Sequence, residues 1–184
     1  DIIFICLPSD IVRYYKNIFS KSNILINQVV CSSYVKSINY KNNQNLTGHL
    51  SFIDIGFNKT SIISYFNSKT LFFEVLPIGG NNITKDISKI LGIDLEQAEQ
   101  LKLNFNQDYK SLSDNDTSAG DLEKVIFART EEILELCIKS IKSNLFIPDE
   151  FKMVLTGEGS KILDNRYKNK ISFSNNINFS EETL

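Results

Sequence analysis

Four short segments carry the residue types that can handle an anion or a cation. The first is Asp54-Ile55-Gly56-Phe57-Asn58-Lys59, at the end of an apolar run. A tight turn between two strands points successive backbone N–H groups into one concavity, which attracts an anion. An aspartate at its base can hold magnesium through water, since that cation keeps several waters and prefers oxygen ligands. The same residues also suit a plain hairpin in which Asp54 satisfies local N–H groups. The second segment, Gly79-Gly80-Asn81-Asn82, precedes a helical pattern. Its amides are placed either to approach phosphate or simply to join a strand to a helix. Third, Glu99 and Lys102 stand three apart on one helical face, as part of a ligand site or as an exposed ion pair of about 0.2–0.5 kcal/mol. Fourth, Gly157-Glu158-Gly159-Ser160 follows a strand, and its glycines admit a ligand close to backbone. A turn without a ligand fits that segment equally well. His49, just ahead of a strand, reads as a rim residue with no role.

Positioning these segments requires strands and helices in a definite order. Ile2-Ile3-Phe4-Ile5 reads as a strand already under way, so the chain is expected to be an interior piece of a longer one. Ile11, Val12, Tyr15, Ile18 and Phe19 recur at helical spacing after Pro8-Ser9-Asp10. Ile24 to Val30 is β-branched enough for a second strand, and Ser33 to Tyr40 suits a short helix. Three closely spaced strands follow, 50–55, 61–66 and 70–77, with Gly56, Asn58, Asn67 and Ser68 in turns that favour tight or left-handed backbone. Ile83, Ile87, Ile90 and Leu91 then form one helical face that Gly92 terminates, and Asp94 with Gln97 caps the next helix. A polar stretch from Asn104 to Gly120 reads as a loop, and Asp121 to Leu145 as the longest helix. A short strand at 152–155 delivers the fourth segment, and a weak strand near 170–173 closes the pattern.

The totals exclude several classes. Among 184 residues, 42% are hydrophobic, enough for a real core, and the net charge is −2 with both signs interspersed. That leaves no basic stripe for nucleic acid and no polybasic run for a lipid surface. The longest apolar runs fall far short of the roughly 20 residues of a membrane helix. Cys6, Cys31 and Cys137 lack any C-x-x-C spacing, and one histidine offers little to a metal, so the thiols read as reduced and structural.

The order of the four segments changes their meaning. Strand, Asp-x-Gly turn, two strands, Gly-Gly turn, helix, Glu-x-x-Lys helix, long helix, strand and Gly-x-Gly turn is the layout of the second half of the actin-like ATPase fold. Phe52-Ile53-Asp54-Ile55-Gly56 through Pro77-Ile78-Gly79-Gly80-Asn81-Asn82-Ile83-Thr84-Lys85-Asp86-Ile87 resembles the second phosphate loop and following segment of the bacterial cell-division family FtsA. Ala98-Glu99-Gln100-Leu101-Lys102 is similar to that family's purine-side helix, and Arg129 to Leu136 to its long helix. Val154-Leu155-Thr156-Gly157-Glu158-Gly159-Ser160 is similar to its adenosine motif. Residues 1 to 30 resemble the end of the family's small inserted subdomain, and Cys31 to Tyr40 the return to the main body.

The resemblance implies an α/β, actin-like (ribonuclease H-like) ATPase fold, with a mixed sheet flanked by helices and this chain supplying the second lobe. Residues 1–48 would end the inserted subdomain and carry the return helix, and 49–184 would form the lobe, with a helical subdomain at about 86–149. It implies ATP and Mg2+ as cofactors, with Asp54 at the magnesium-bound water as the catalytic and metal residue. Gly56, Phe57, Asn58 and Gly80 would meet phosphate, Glu99 and Lys102 ribose and purine, and Gly157, Glu158, Gly159 and Ser160 adenosine. Relatives usually carry small residues or glycine at Phe57 and Asn58, a hydroxyl at Lys59 and glycine at Glu158. At 158 a carboxylate facing ribose or phosphate oxygens would weaken binding. The implied role is a filament-forming division adaptor with slow hydrolysis at most. It would sit at the inner face of the cell membrane, join a tubulin-like ring protein to that membrane through a further segment, and bind no nucleic acid. Competing readings are a degenerate scaffold without nucleotide binding, a small-molecule kinase and a pilus-assembly relative of the same fold.

Overall fold

The computed structural model describes residues 4–43, 48–108, 117–146, 151–162 and 177–181. The chain divides into two compact units, residues 1–46 and 47–184.

In the first unit, α1 (Ser9–Ser20) and α2 (Ser32–Asn43) are the regular elements among the described residues. Pro8 precedes α1 with φ near −57°, preset for the entry into a helix, and its carbonyl accepts from Val12 N at 3.2 Å. Ile11, Tyr15, Ile18 and Phe19 do share one helical face, and all stay 40–50% exposed. The expected strand at Ile24–Val30 is irregular instead, with Leu25 largely in solvent. β-branched residues fit a pleated surface but do not create one, and no described strand lies there for a ladder. Of the expected opening strand, residues 1–3 lie outside the described residues, and 4–8 are irregular.

The second unit is built on a five-stranded sheet of β1 (His49–Ile55), β2 (Thr60–Phe66), β3 (Lys69–Leu76), β4 (Phe151–Thr156) and β5 (Ile177–Glu181), ordered β3-β2-β1-β4-β5. β1 to β3 form an antiparallel meander, whereas β4 runs parallel to β1 and β5 parallel to β4. Asn67 and Ser68 turn β2 into β3 with φ of 45° and 67°, the left-handed backbone their types tolerate. β1 is central and buried on both faces, which explains its unbroken apolar run. One face, through Ile53, Ile55, Ile62, Met153 and Leu155, packs in the core with Ile83, Ile87, Ile126 and Ile133. The opposite face, with Leu50, Phe52, Ile63, Tyr65 and Val154, is buried as well.

Three helices follow the meander: α3 (Gly80–Leu91), α4 (Leu95–Asp108) and α5 (Thr117–Asn144). Gly92 ends α3 at φ 65°, and Asp94 Oδ1 accepts from Gln97 N at 2.8 Å to cap α4. The polar loop expected over Asn104–Gly120 is shorter than its composition suggests. Buried Phe105 holds the last turns of α4 to the core, and α5 begins at Thr117 rather than Asp121. A cluster of Arg129 Nε on Asp86 Oδ2 at 2.5 Å and Arg129 on Glu132 Oε2 at 2.6 Å ties α5 to α3. The hydrogen bond to Asp86 is the main reason the Arg129 guanidinium holds its proton more firmly than usual. The weak strand near 170–173 lies outside the described residues, and β5 has no counterpart in the sequence reading.

Cys137 on α5 is fully buried, and burial first, then the charge of Glu74, pushes its thiol up to about 12. Ser140 on the same helix donates to Glu74 of β3. At pH 8 the thiolate fraction of Cys137 is therefore about one in ten thousand. An aromatic disulfide reagent is expected to label exposed Cys6 in the native protein and to spare Cys137 until denaturant is added. Mass spectrometry locates the adducts, and native labelling of Cys137 at the Cys6 rate would contradict this helix packing.

Candidate functional site

The four chemically suggestive segments meet at the carboxyl ends of the parallel pair β1 and β4, the edge at which α/β sheets bind ligands. At that edge Asp54 pairs in register with Ser61 on β2 and Thr156 on β4, and is 7% exposed. It is engaged by neighbouring groups. The chain then turns through Gly56–Lys59, where Gly56 N donates to Lys59 O at 2.9 Å. Neither Phe57 nor Asn58 takes a positive φ, so the turn closes without the left-handed residue that a glycine-rich version would allow.

The start of α3 is sewn onto this turn. Gly80 N donates to Gly56 O at 2.9 Å, Asn81 N to Phe57 O at 2.7 Å, and Asn81 Nδ2 to Asn58 Oδ1 at 2.9 Å. Gly79 is required by proximity, because a Cβ there would stand 2.5 Å from Gly56 O and 2.8 Å from Phe57 O. Its own N–H donates to Asn82 Oδ1 at 3.0 Å, and Thr60 Oγ1 on β2 donates to Ile78 O at 2.7 Å. The amides of Gly80 and Asn81 are thus spent inside the protein. The amides of Phe57, Asn58 and Lys59, in contrast, donate to none of the described residues. The start of α3 thus serves to hold the turn, and the amides that keep donor capacity are those of the turn itself.

Glu99 and Lys102 are more than an exposed pair. Lys102 is 6% exposed, and its ammonium donates to Glu99 Oε2 at 2.6 Å, Thr84 Oγ1 at 2.8 Å and Gly80 O at 3.2 Å. Thr84, which the sequence reading passed over, donates to the same Glu99 oxygen at 2.5 Å and is buried. Its signal was available: position 84 lies one turn after Gly80, on the face of α3 that carries Ile83 and Ile87. Burial raises the Glu99 carboxyl, but hydrogen bonds from Lys102 and Thr84 and the Lys102 charge together outweigh it. Glu99 therefore stays ionised below the ordinary carboxylate range. Its other oxygen, Oε1, accepts from none of the described residues.

After β4 the chain forms a 3-10 helix at Glu158–Ile162 rather than an open turn. Gly157 has φ 88°, and a Cβ on it would stand 2.4 Å from Ile55 O and 2.5 Å from Asp54 Oδ1. Gly159 is pressed on the same strand end, since its Cβ would meet Ile55 Cγ2 at 2.5 Å. Gly80 lies across from it, the site of its Cβ being 3.8 Å from Gly159 Cα and 3.6 Å from Lys102 Nζ. Ser160 Oγ is turned back onto Gly157 O at 2.8 Å. Glu158 bonds Lys161 at 2.8 Å with both side chains largely in solvent, so its charge is answered locally. The structure thus brings together Asp54, Gly56, Gly80, Glu99, Lys102, Gly157 and Gly159, and turns the Glu158 carboxylate onto Lys161. Among the described residues, no group of three or more His, Cys, Asp or Glu could hold a metal. A single carboxylate ligand such as Asp54 fits a cation bound mainly through water and phosphate.

This mixed sheet with flanking helices is the actin-like fold. Its solved likenesses include MreB5 of Spiroplasma citri bound to ADP, at TM-score 0.64 and 14% identity over 95% of this chain and 61% of that one. The family model for cell division protein FtsA matches residues 51–163, more than half of the chain, and the chain belongs to that family. Cell division protein FtsA of Streptococcus pneumoniae is 28% identical over 73% of this chain, and that of Bacillus subtilis 33% identical over 59%. The chain spans 31% and 28% of those relatives' lengths.

Because the folded Glu99 has a lowered pKa, its stabilising contribution is complete above the ordinary value of 4.5 and is lost as pH falls through the folded value. Glu99→Gln is expected to lower the thermal midpoint at pH 7 and to flatten its fall between pH 5 and pH 3. Midpoints measured across that range check it, and parallel wild-type and variant curves would contradict it.

Proposed function

We propose that residues 49–184 are the nucleotide-binding second lobe of an actin-like division protein that takes Mg-ATP. The observation that supports this most is the turn at 56–59. Three successive amides without an acceptor among the described residues stand at the carboxyl end of a parallel strand, beside the buried carboxylate of Asp54. The amides of Phe57, Asn58 and Lys59 would receive phosphate oxygens, and Asp54 would accept a hydrogen bond from a magnesium-bound water. Glu99 Oε1 is the acceptor available to a sugar hydroxyl, while Lys102 fixes that carboxylate and joins α4 to α3. The magnesium ion would supply charge neutralisation for the phosphates. Gly157 and Gly159 bring the chain after β4 against the end of β1, forming the adenosine side of the cleft. The described residues would supply one lobe's contacts, so the whole protein rather than these residues alone would bind tightly.

Membership of the family supports a wider role. The protein would self-associate into filaments and join a tubulin-like ring protein to the inner face of the membrane at the division site. No described helix is long and apolar enough to cross a membrane. The helical subdomain offers a surface for the ring protein. An open groove of about 560 Å³ along α4 is lined by Ile93, Glu96, Gln97, Gln100, Leu101 and Asn104. A scaffold that no longer binds nucleotide is the second reading, favoured by Phe57, whose ring stands 5.9 Å from the Lys102 ammonium in the approach to the site.

Calorimetric titration of the complete protein carrying this sequence with Mg-ATP is expected to show micromolar binding that Asp54→Asn weakens at least tenfold. Glu158→Gly should change affinity less than about fivefold, because a solvent-exposed pair such as Glu158–Lys161 contributes about 0–1 kcal/mol. Absence of binding by the complete protein would favour the scaffold.

A further inference from the structure

The Lys102 ammonium has three N–H donors, and three acceptors on α3 and α4 take them: Gly80 O, Thr84 Oγ1 and Glu99 Oε2. Over the same ammonium lies the ring of Phe57, its centroid 5.9 Å from Nζ, within the range of a cation–π contact. Lys102 is only 6% exposed, whereas Phe57 is 57% exposed. A cation that is nearly out of water is therefore covered in part by a ring that is itself mostly in water. The backbone beneath the ring is fixed, since Phe57 O accepts from Asn81 N and Asn58 Oδ1 from Asn81 Nδ2. The side chain has no such anchor. More than half of its surface lacks packing partners, so rotation about χ1 sacrifices little beyond the contact with Lys102.

We propose that Phe57 is a rotatable cover on the Glu99–Lys102–Thr84 cluster, and that a nucleoside polyphosphate held at the 56–59 turn reaches this cluster only when the ring swings aside. Phe57 thereby sets the affinity of the site. This rests on the nucleotide reading above and extends it to a residue that opposes the ligand. The ring and the ligand compete at the cluster, because the ring stands over the Lys102 ammonium that holds Glu99. The opposition equals what the ring gives up, a cation–π contact at a partly exposed site, which corresponds to about 2- to 30-fold in the dissociation constant.

The test uses the complete protein carrying this sequence, with Mg-ATP as the probe. Phe57→Ala is expected to bind Mg-ATP about 2- to 30-fold more tightly than wild type, and Phe57→Tyr, which keeps the ring, to match wild type. An independent readout is the proton shift of the Lys102 Cε methylene. Ring current should displace it upfield in free wild type relative to free Phe57→Ala, and that difference between the two proteins should vanish when both are saturated with ATP. Wild type that binds while Phe57→Ala binds no more tightly, or a shift difference between wild type and Phe57→Ala that persists when both are saturated, would overturn the cover and leave the nucleotide reading intact. Failure of both proteins to bind would overturn both.

Discussion

Everything at the site depends on how closely other backbone approaches the end of β1. Gly157 and Gly159 press on Asp54 and Ile55, and Gly79 presses on the carbonyls of Gly56 and Phe57, at distances where a Cβ would stand 2.4–2.9 Å from the opposing atoms. Protein interiors cannot absorb such overlaps without moving a neighbour, and here the neighbours are backbone atoms and the buried Asp54 and Ile55 side chains at the end of a central strand. A side chain at any of these glycines would push the chain after β4, or the start of α3, away from the Asp54 turn. The glycines therefore secure convergence first, and openness to a ligand only through it.

Convergence also decides which polar groups remain for chemistry. A helix start with a glycine pair suggests an anion site, because its first amides lack intrahelical partners. In this protein the carbonyls of Gly56 and Phe57 take the Gly80 and Asn81 amides, and the amides of Phe57, Asn58 and Lys59 are left without an acceptor among the described residues. The lysine on α4 undergoes a similar exchange. Its three donors are used on Glu99, Thr84 and Gly80, so its positive charge keeps Glu99 ionised and links two helices rather than standing open to solvent. Glu99 Oε1 and the turn amides are what this arrangement leaves on offer.

Much of the fold is legible in the sequence where local chemistry and tertiary demand agree. The β1–β3 meander, the Asn67-Ser68 turn, the Gly92 stop and the Asp94 cap all follow from residue types whose backbone preference matches their place. Legibility fails where partners are remote in sequence. Ile24–Val30 has strand composition without a described strand to pair with. Asn104–Asp108 looks like loop until Phe105 is seen in the core, and β5 rests on a parallel ladder to β4 that no local pattern announces. At the site, residue types identified the segments but not the direction of each group. Glu158 reads as a charge aimed into the cleft until Lys161, one turn on, is seen to take it. Gly80 reads as a phosphate donor until Gly56 O is found on its amide.

The central claim is that the 56–59 turn, held by the start of α3, is the anion-binding element. Amide proton and nitrogen shifts of the complete protein, followed during titration with Mg-ATP, test it most directly. Hydrogen bonds to phosphate should move the Phe57, Asn58 and Lys59 amide protons downfield, while those of Gly80 and Asn81, already bonded to carbonyls, stay nearly in place. The largest displacements at Gly80 and Asn81, with residues 57–59 unmoved, would contradict the account.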